Sequence, residues 1–294
     1  MESIGGYDVF RLHDPFRIVV DVRRHKKRAF KGSPQVTGKK RHAGRGIKRT
    51  NAPDRKVSLA RQLGLNVRRI VIDPGHGGKD PGCHGRGGIK EKDIVLSLAK
   101  ILARKIRKEL GCEVFLTRTR DVFLPLEKRT AIANIKKADL FISIHVNAHK
   151  CHKISGIETY FLNMATDERS VMVAARENAT SEKNISDLQT ILNDLMLNTK
   201  IHESSRLAYD VQNAIVSQVG RRYKRPRNLG VKQAPFYVLI GADMPAILVE
   251  TGFLTNPVDR KRLRSGTYRD CIAEGICKGI KQYMASIDQV YQGG

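Results

Sequence analysis

Two histidines and two glutamates, His76, Glu91, His145 and Glu250, are the residues of this 294-residue chain whose type and placement could do chemistry. Two imidazoles and one carboxylate make a common catalytic zinc set, with water in the fourth position. Such a metal draws the pKa of its water toward about 7 and so supplies hydroxide at neutral pH. A further carboxylate that is not a ligand can then orient the water and carry its proton to a departing group. Glu250 suits that task, because it closes the apolar run Ala246-Ile247-Leu248-Val249. A carboxylate at the end of a buried strand is costly unless it is paired or working.

Each residue also has a plain structural reading. His76 could be a satisfied loop histidine, although the four glycines in 75–82 allow a close backbone approach that a solvated loop does not need. Glu91 could simply be a first-turn acid that favours the helix dipole. His145 ends an apolar run and could be a core histidine. His84, His149 and His152, with Cys83 and Cys151, show no recurring ligand spacing and read as loop residues near a cleft mouth.

The elements that must position these residues follow from hydrophobic periodicity. Residues 67–72 form a short apolar run ending at Asp73-Pro74-Gly75, a strand passing into a loop. Over 91–110, Ile94, Leu98, Ile101 or Leu102, and Ile106 recur at spacings of three and four, which predicts an amphipathic helix stopped by Gly111. Strands are expected at 112–117, 139–145, 156–162, 236–240 and 246–249. Helices are expected from Pro125 to about Lys137, over 203–219 and over 267–285, with a polar helical stretch at 167–200. This alternation predicts an α/β fold, a mostly parallel central sheet flanked by helices on both faces, with a helical insertion. Ligands of such a sheet collect at the carboxyl ends of its strands, where His76, His145 and Glu250 lie. Glu91 joins them because the helix after the first strand starts at the same edge.

Composition sets the outer limits. Residues 23–69 carry seventeen Lys or Arg against one acidic residue, Asp54, and have little to bury, so this stretch reads as a flexible tail or linker. Before it, residues 7–22 hold two apolar runs around His13-Asp14-Pro15, which predicts a small hairpin or two strands. Five cysteines without a C-x-x-C pair do not indicate a disulfide framework. No run approaches the roughly 18 apolar residues of a membrane span. The start, MESIGGYDVF, has no basic n-region or apolar h-region, so any export signal is expected in a longer precursor.

In order along the chain stand IVIDPGHGGKDPG, KEKDIVLSLAKIL, LTRTRD with LEKRTAIAN, ADLFISIHVNA and AILVETGFLTNP. This series resembles the zinc-dependent N-acetylmuramoyl-L-alanine amidases of bacteria, specifically the cell-division type, over about residues 67–285. The resemblance implies that His76, Glu91 and His145 hold one zinc ion and that Glu250 is catalytic. It implies cleavage between the lactyl group of N-acetylmuramic acid and the first L-alanine of the peptidoglycan stem peptide, in the periplasm or cell wall, as daughter cells separate. It also implies a domain plan: a remnant of an N-terminal β localisation domain at 1–22, a basic linker at 23–66, and a catalytic domain at 67–290 with a regulatory insertion at about 163–200. The same resemblance implies that a helix of that insertion lies over the zinc and that a glutamate, Glu177 or Glu182, blocks the site until an activator protein withdraws it. Asn147 and Arg129 are expected to shape the site or hold its loops, and Arg129 could equally be a structural ion-pair partner. Two other classes stay open: an idle wall-binding protein that kept the fold, and a polyanion or nucleic-acid binder acting through the basic tail. The chain has no Trp and its catalytic part no aromatic platform, so nucleic acid is not the expected partner.

Overall fold

The computed structural model of the protein describes residues 4–12, 17–24, 67–165, 167–179, 199–224 and 226–288. The chain divides into two units, Met1–Asp54 and Arg55–Gly294. In the first, β1 (Ile4–Leu12) and β2 (Arg17–Arg24) pair antiparallel, with Leu12 opposite Arg17, in line with the expected hairpin.

The second unit is built on a six-stranded sheet in the order β6-β3-β7-β10-β8-β9. Its strands are β3 (Arg69–Pro74), β6 (Glu113–Leu116), β7 (Leu140–Asn147), β8 (Ile157–Leu162), β9 (Asn228–Ala234) and β10 (Ala246–Phe253). Every pairing is parallel except that of β10 with β8. A separate pair of two-residue strands, β4 (His84–Gly85) and β5 (Ile89–Lys90), closes the glycine-rich loop.

Alternation along the strands sends side chains to two cores. Ile70, Ile72, Ile142, Ile144, Ile247 and Val249 enter the larger one, beneath helices α1 (Glu91–Leu110), α4 (Thr199–Gly220) and α6 (Gly266–Asp288). The apolar stripe of α1 is the expected one, with Ile94, Leu98, Leu102 and Ile106 buried and Gly111 ending the helix at φ 67°. Val71, Phe141, Ala246 and Leu248 face the other way, into a smaller core. That core is covered by α2 (Leu126–Ile135), α3 (Glu168–Glu177) and a 3-10 turn at Tyr237–Leu239. A short helix α5 (Pro257–Arg264) follows β10, capped by Asn256, whose side chain accepts from the backbone N–H of Val258 and Asp259.

One expectation needs correction, and two elements went unforeseen. Residues 236–240 are not a strand, because Tyr237–Leu239 curls into the 3-10 turn; Phe236, Val238 and Leu239 are buried from a turn rather than from a sheet. The edge strand lies earlier, at Asn228–Ala234, where NLGVKQA is too polar to announce itself because an edge strand buries little of its surface. Helix α5 went unforeseen, since its eight residues carry five charges and show no long apolar stripe. The described residues of the 163–200 insertion include α3; Glu182 lies outside the described residues.

Candidate metal centre

The site forms on the smaller-core face, at the carboxyl ends of β3, β7 and β10. His76 stands two residues past β3 at φ 57°, a conformation uncommon for a non-glycine residue and a mark of a constrained position. Arg129, fully buried on α2, fixes that loop: its guanidinium donates to the Pro74 carbonyl at 3.0 Å, the His76 carbonyl at 3.0 Å and the Leu124 carbonyl at 2.9 Å. The same guanidinium pairs with Asp73 Oδ1 at 2.9 Å. Asp73 also accepts from the hydroxyls of Thr117 at 2.5 Å and Ser143 at 2.8 Å. Burial alone would raise the Asp73 carboxyl, but Arg129 and the two hydroxyls hold it below the usual carboxylate range.

Two glycines make room for the imidazoles. A methyl group on Gly75 would overlap the His145 ring. At Gly82, φ is +65° and a Cβ would lie 2.6 Å from both Glu91 Oε2 and the His76 ring. Close backbone approach is therefore a real demand of this loop.

Glu91 is the first residue of α1, so its position satisfies the dipole reading, yet its carboxylate turns inward and is fully buried. The backbone N–H of Cys83 donates to Oε2 at 2.9 Å and that of Val146 to Oε1 at 2.8 Å. So anchored, Oε1 lies 3.2 Å from His76 Nε2 and 3.2 Å from His145 Nδ1. Asp80 accepts at His76 Nδ1, 2.8 Å away, which leaves Nε2 turned toward the cluster. The last residue of α3, Glu177, completes the group: its Oε2 is 3.2 Å from His76 Nε2 and 2.8 Å from His145 Nδ1. The donor atoms of His76, Glu91, His145 and Glu177 all lie within 4.8 Å of one another.

This geometry fits a single zinc ion. His76 Nε2, His145 Nδ1 and Glu177 Oε2 are buried without a hydrogen-bond partner, an arrangement that a shared cation resolves and a purely structural cluster rarely tolerates. The charges point the same way. Burial would lower both histidines, but the Glu91 carboxylate drives His76 upward and the Glu177 carboxylate pushes His145 up to about 10. Burial would raise Glu177, and His145 brings it down to about 2. Two carboxylates thus attract positive charge to the point where the imidazole nitrogens meet.

Glu250 is the Cα partner of His145 on β7 and of Glu158 on β8, so the three form a row across the sheet on the site-facing side. Its carboxylate is fully buried and neither oxygen has a partner. Burial first, then repulsion from Glu177, raises its carboxyl well above the usual range. That is the state of a group able to hold a proton near neutral pH.

Several residues of the site were not foreseen. Asp80 gave no signal beyond its place four residues after His76. Glu158 did give one, since a lone acid inside the strand IETYFL is as anomalous as Glu250 in its own strand. Its carboxylate accepts from Asn147 Nδ2 at 2.8 Å and Arg169 Nη2 at 2.6 Å, with Lys232 Nζ at 3.4 Å. Asn147, expected to shape the site, also accepts at Oδ1 from Arg176 of α3 at 2.9 Å. Of the residues expected in loops, His84 instead lies in β4, paired with Lys90 of β5, while His149, His152, Cys83 and Cys151 lie in loops: His149 Nδ1 accepts from the Cys151 backbone N–H at 2.9 Å, and the Cys83 thiol donates to the Val146 carbonyl at 2.9 Å.

Residues 70–282 match the family described as Amidase_3, N-acetylmuramoyl-L-alanine amidase. N-acetylmuramoyl-L-alanine amidase AmiC of Escherichia coli O6:H1 is 35% identical over 224 residues, 74% of this chain and 52% of that protein. AmiA of Escherichia coli K12 is 36% identical over 230 residues, 75% of this chain and 78% of that protein. The chain therefore spans about half the length of the AmiC relative. Among solved structures, an N-acetylmuramoyl-L-alanine amidase from Clostridium difficile 630 superposes with a TM-score of 0.59 at 35% identity, over 76% of this chain and 99% of that one.

Proposed function

This chain belongs to the N-acetylmuramoyl-L-alanine amidase family, and we propose that it hydrolyses the amide bond between N-acetylmuramic acid and L-alanine in peptidoglycan. The observation that carries the reading is the convergence of His76 Nε2, Glu91 Oε1 and His145 Nδ1 on one point, beside the unpartnered carboxylate of Glu250.

His76, Glu91 and His145 hold the zinc, one ion per chain. When bound there, zinc supplies Lewis-acid activation of water and of the scissile carbonyl. The rest falls to the protein. Glu91, pinned by two backbone N–H groups, keeps both imidazoles at a fixed separation. Asp80 fixes the His76 tautomer through Nδ1. Arg129 holds the loop by its carbonyls. Glu250, whose two carboxylate oxygens have no protein partner, takes a proton from the attacking water and delivers it to the alanine nitrogen as the bond breaks.

Glu177 fills the fourth position of the cluster, against both imidazoles, so α3 acts as a built-in inhibitor and the site works once α3 shifts. An activator protein that takes hold of the insertion would supply that shift. The substrate sets the setting: separation of daughter cells in the periplasm or cell wall, with residues 1–22 as part of a wall-localisation domain and the basic 23–66 stretch as linker. No helix among the described residues is long and apolar enough to cross a membrane.

Zinc content measured together with product release from purified sacculi tests the reading. One zinc per chain and free stem peptides bearing an N-terminal alanine are expected. Release of sugars alone, or full activity after complete zinc removal, overturns it.

A further inference from the structure

The row His145–Glu250–Glu158 gives the site a direction. His145 lies on the metal side of Glu250, and Glu158 lies one strand further on, away from the metal. If Glu250 protonates the alanine nitrogen, the leaving stem peptide extends over β8, where Glu158 stands. Glu158 is a fully buried carboxylate, but part of its cover comes from the blocking helix: Arg169 of α3 donates to Oε2 at 2.6 Å. That pair has the marks of a stand-in. Arg169 keeps a buried Nε without any partner, and its guanidinium rests over the Phe253 ring at 5.5 Å. Arg129, by contrast, spends Nε, Nη1 and Nη2 on protein acceptors.

The other ties of α3 follow the same pattern. Arg176 donates to Asn147 Oδ1 at 2.9 Å and to the Ala148 carbonyl at 2.7 Å, while Glu177 sits between the two imidazoles. All three side chains of α3 thus engage groups lining the cleft. When α3 shifts, Asn147 Nδ2 and Lys232 Nζ remain as partners of Glu158, and its Oε2 loses its nearest donor. A buried carboxylate left short of a donor is a ready acceptor for an incoming N–H.

Resting on the amidase reading above, we propose that Glu158 is a substrate-binding residue whose carboxylate accepts an N–H of the stem peptide on the leaving-group side, and that Arg169 occupies this subsite in the closed form. Helix α3 is then a pseudosubstrate, filling the peptide subsite with Arg169 as it fills the metal position with Glu177.

The test uses the zinc-loaded full chain and stem-peptide release from sacculi and from a soluble muropeptide. Arg169→Ala, which frees the subsite without touching it, is expected to raise turnover. Adding Glu158→Gln to that variant is expected to raise KM for the muropeptide about tenfold with little change in kcat, zinc content or melting temperature, since a charge-assisted bond is exchanged for a neutral one. If Glu158 merely anchors Arg169, Glu158→Gln alone raises turnover as Arg169→Ala does and changes nothing when added to it; that result overturns the proposal and leaves the amidase reading intact. If Arg169→Ala and the parent protein both release no stem peptide with zinc bound and an activator fraction present, the amidase reading itself fails and this inference with it. Should Glu158→Gln fail to fold, Glu158→Asp carries the same comparison, keeping the charge and shortening its reach.

Discussion

Two buried polar clusters share one face of the sheet, and they are built on opposite principles. Around Asp73, the ion pair with Arg129 and the hydroxyls of Thr117 and Ser143 leave every side-chain group bonded. Around Glu177 and Glu250, a few residues further toward the strand ends, five buried atoms of the site have no hydrogen-bond partner: His76 Nε2, His145 Nδ1, Glu177 Oε2 and both oxygens of Glu250. The first cluster is finished without help and serves as foundation. The second is incomplete as protein alone, and each deficit marks a place where something else binds: zinc at the imidazoles, a proton at Glu250. Satisfied burial rigidifies, whereas unsatisfied burial stores a demand that a ligand meets.

The sharpest break between the clusters is Glu250→Ala. Stem-peptide release should fall by about 10³-fold, the scale of a lost general acid–base, while zinc content and melting temperature stay near those of the parent. Activity that survives would move the proton carrier elsewhere. In the foundation the consequence should be reversed. Asp73→Asn strands a buried guanidinium, so chemical denaturation should show a loss of about 3–5 kcal/mol, with activity lost only as far as the fold is lost. A well-folded Asp73→Asn protein would place that cluster among the functional groups instead.

Glu177→Gln tests the site from the other side. Removing the charge that pairs with His145 should free the entry to the metal and raise activator-independent release about tenfold, a shift of roughly 1.4 kcal/mol in the open–closed equilibrium. A fall in release would make Glu177 a working residue rather than a blocker. The smallest effect is the acid limb of stability. The Asp73 carboxyl is held lower in the folded protein than in the unfolded chain, so its contribution is complete above about pH 4, the unfolded value, and is lost as pH falls through the lower folded value. Melting curves through that window should steepen for the parent relative to Asp73→Asn; parallel curves would mean that Asp73 is not held low.

The strands and helices beneath the site were legible because burial imposes a period. The stripe Ile94, Leu98, Leu102, Ile106 and the run from Leu140 to Val146 can satisfy their surroundings only as a one-faced helix and a central strand. Strand β9 and the 3-10 turn at Tyr237–Leu239 were not legible, since an edge strand has one neighbour and little apolar area, and a turn can bury Phe236 and Leu239 as well as a strand does. Glu250 was visible as an acid closing the apolar run Ala246–Val249, although β10 continues past it to Phe253, and Glu158 carried a like signal inside β8.

By itself the sequence marked which side chains to look for at the rim: the loop after β3, the first turn of α1 and the apolar runs of β7 and β10 carry His76, Glu91, His145 and Glu250. Only the tertiary structure decided their partners. Glu177 and Arg169 reach the site because α3 packs Val173 and Ala174 into the smaller core and so lays its polar residues across the cleft. No period encodes that, because it depends on which face of a distant helix meets which face of the sheet. Asp80 and Arg129 likewise act through distances set by a folded loop and by the placement of α2, and pattern along a chain carries no information about distance across it.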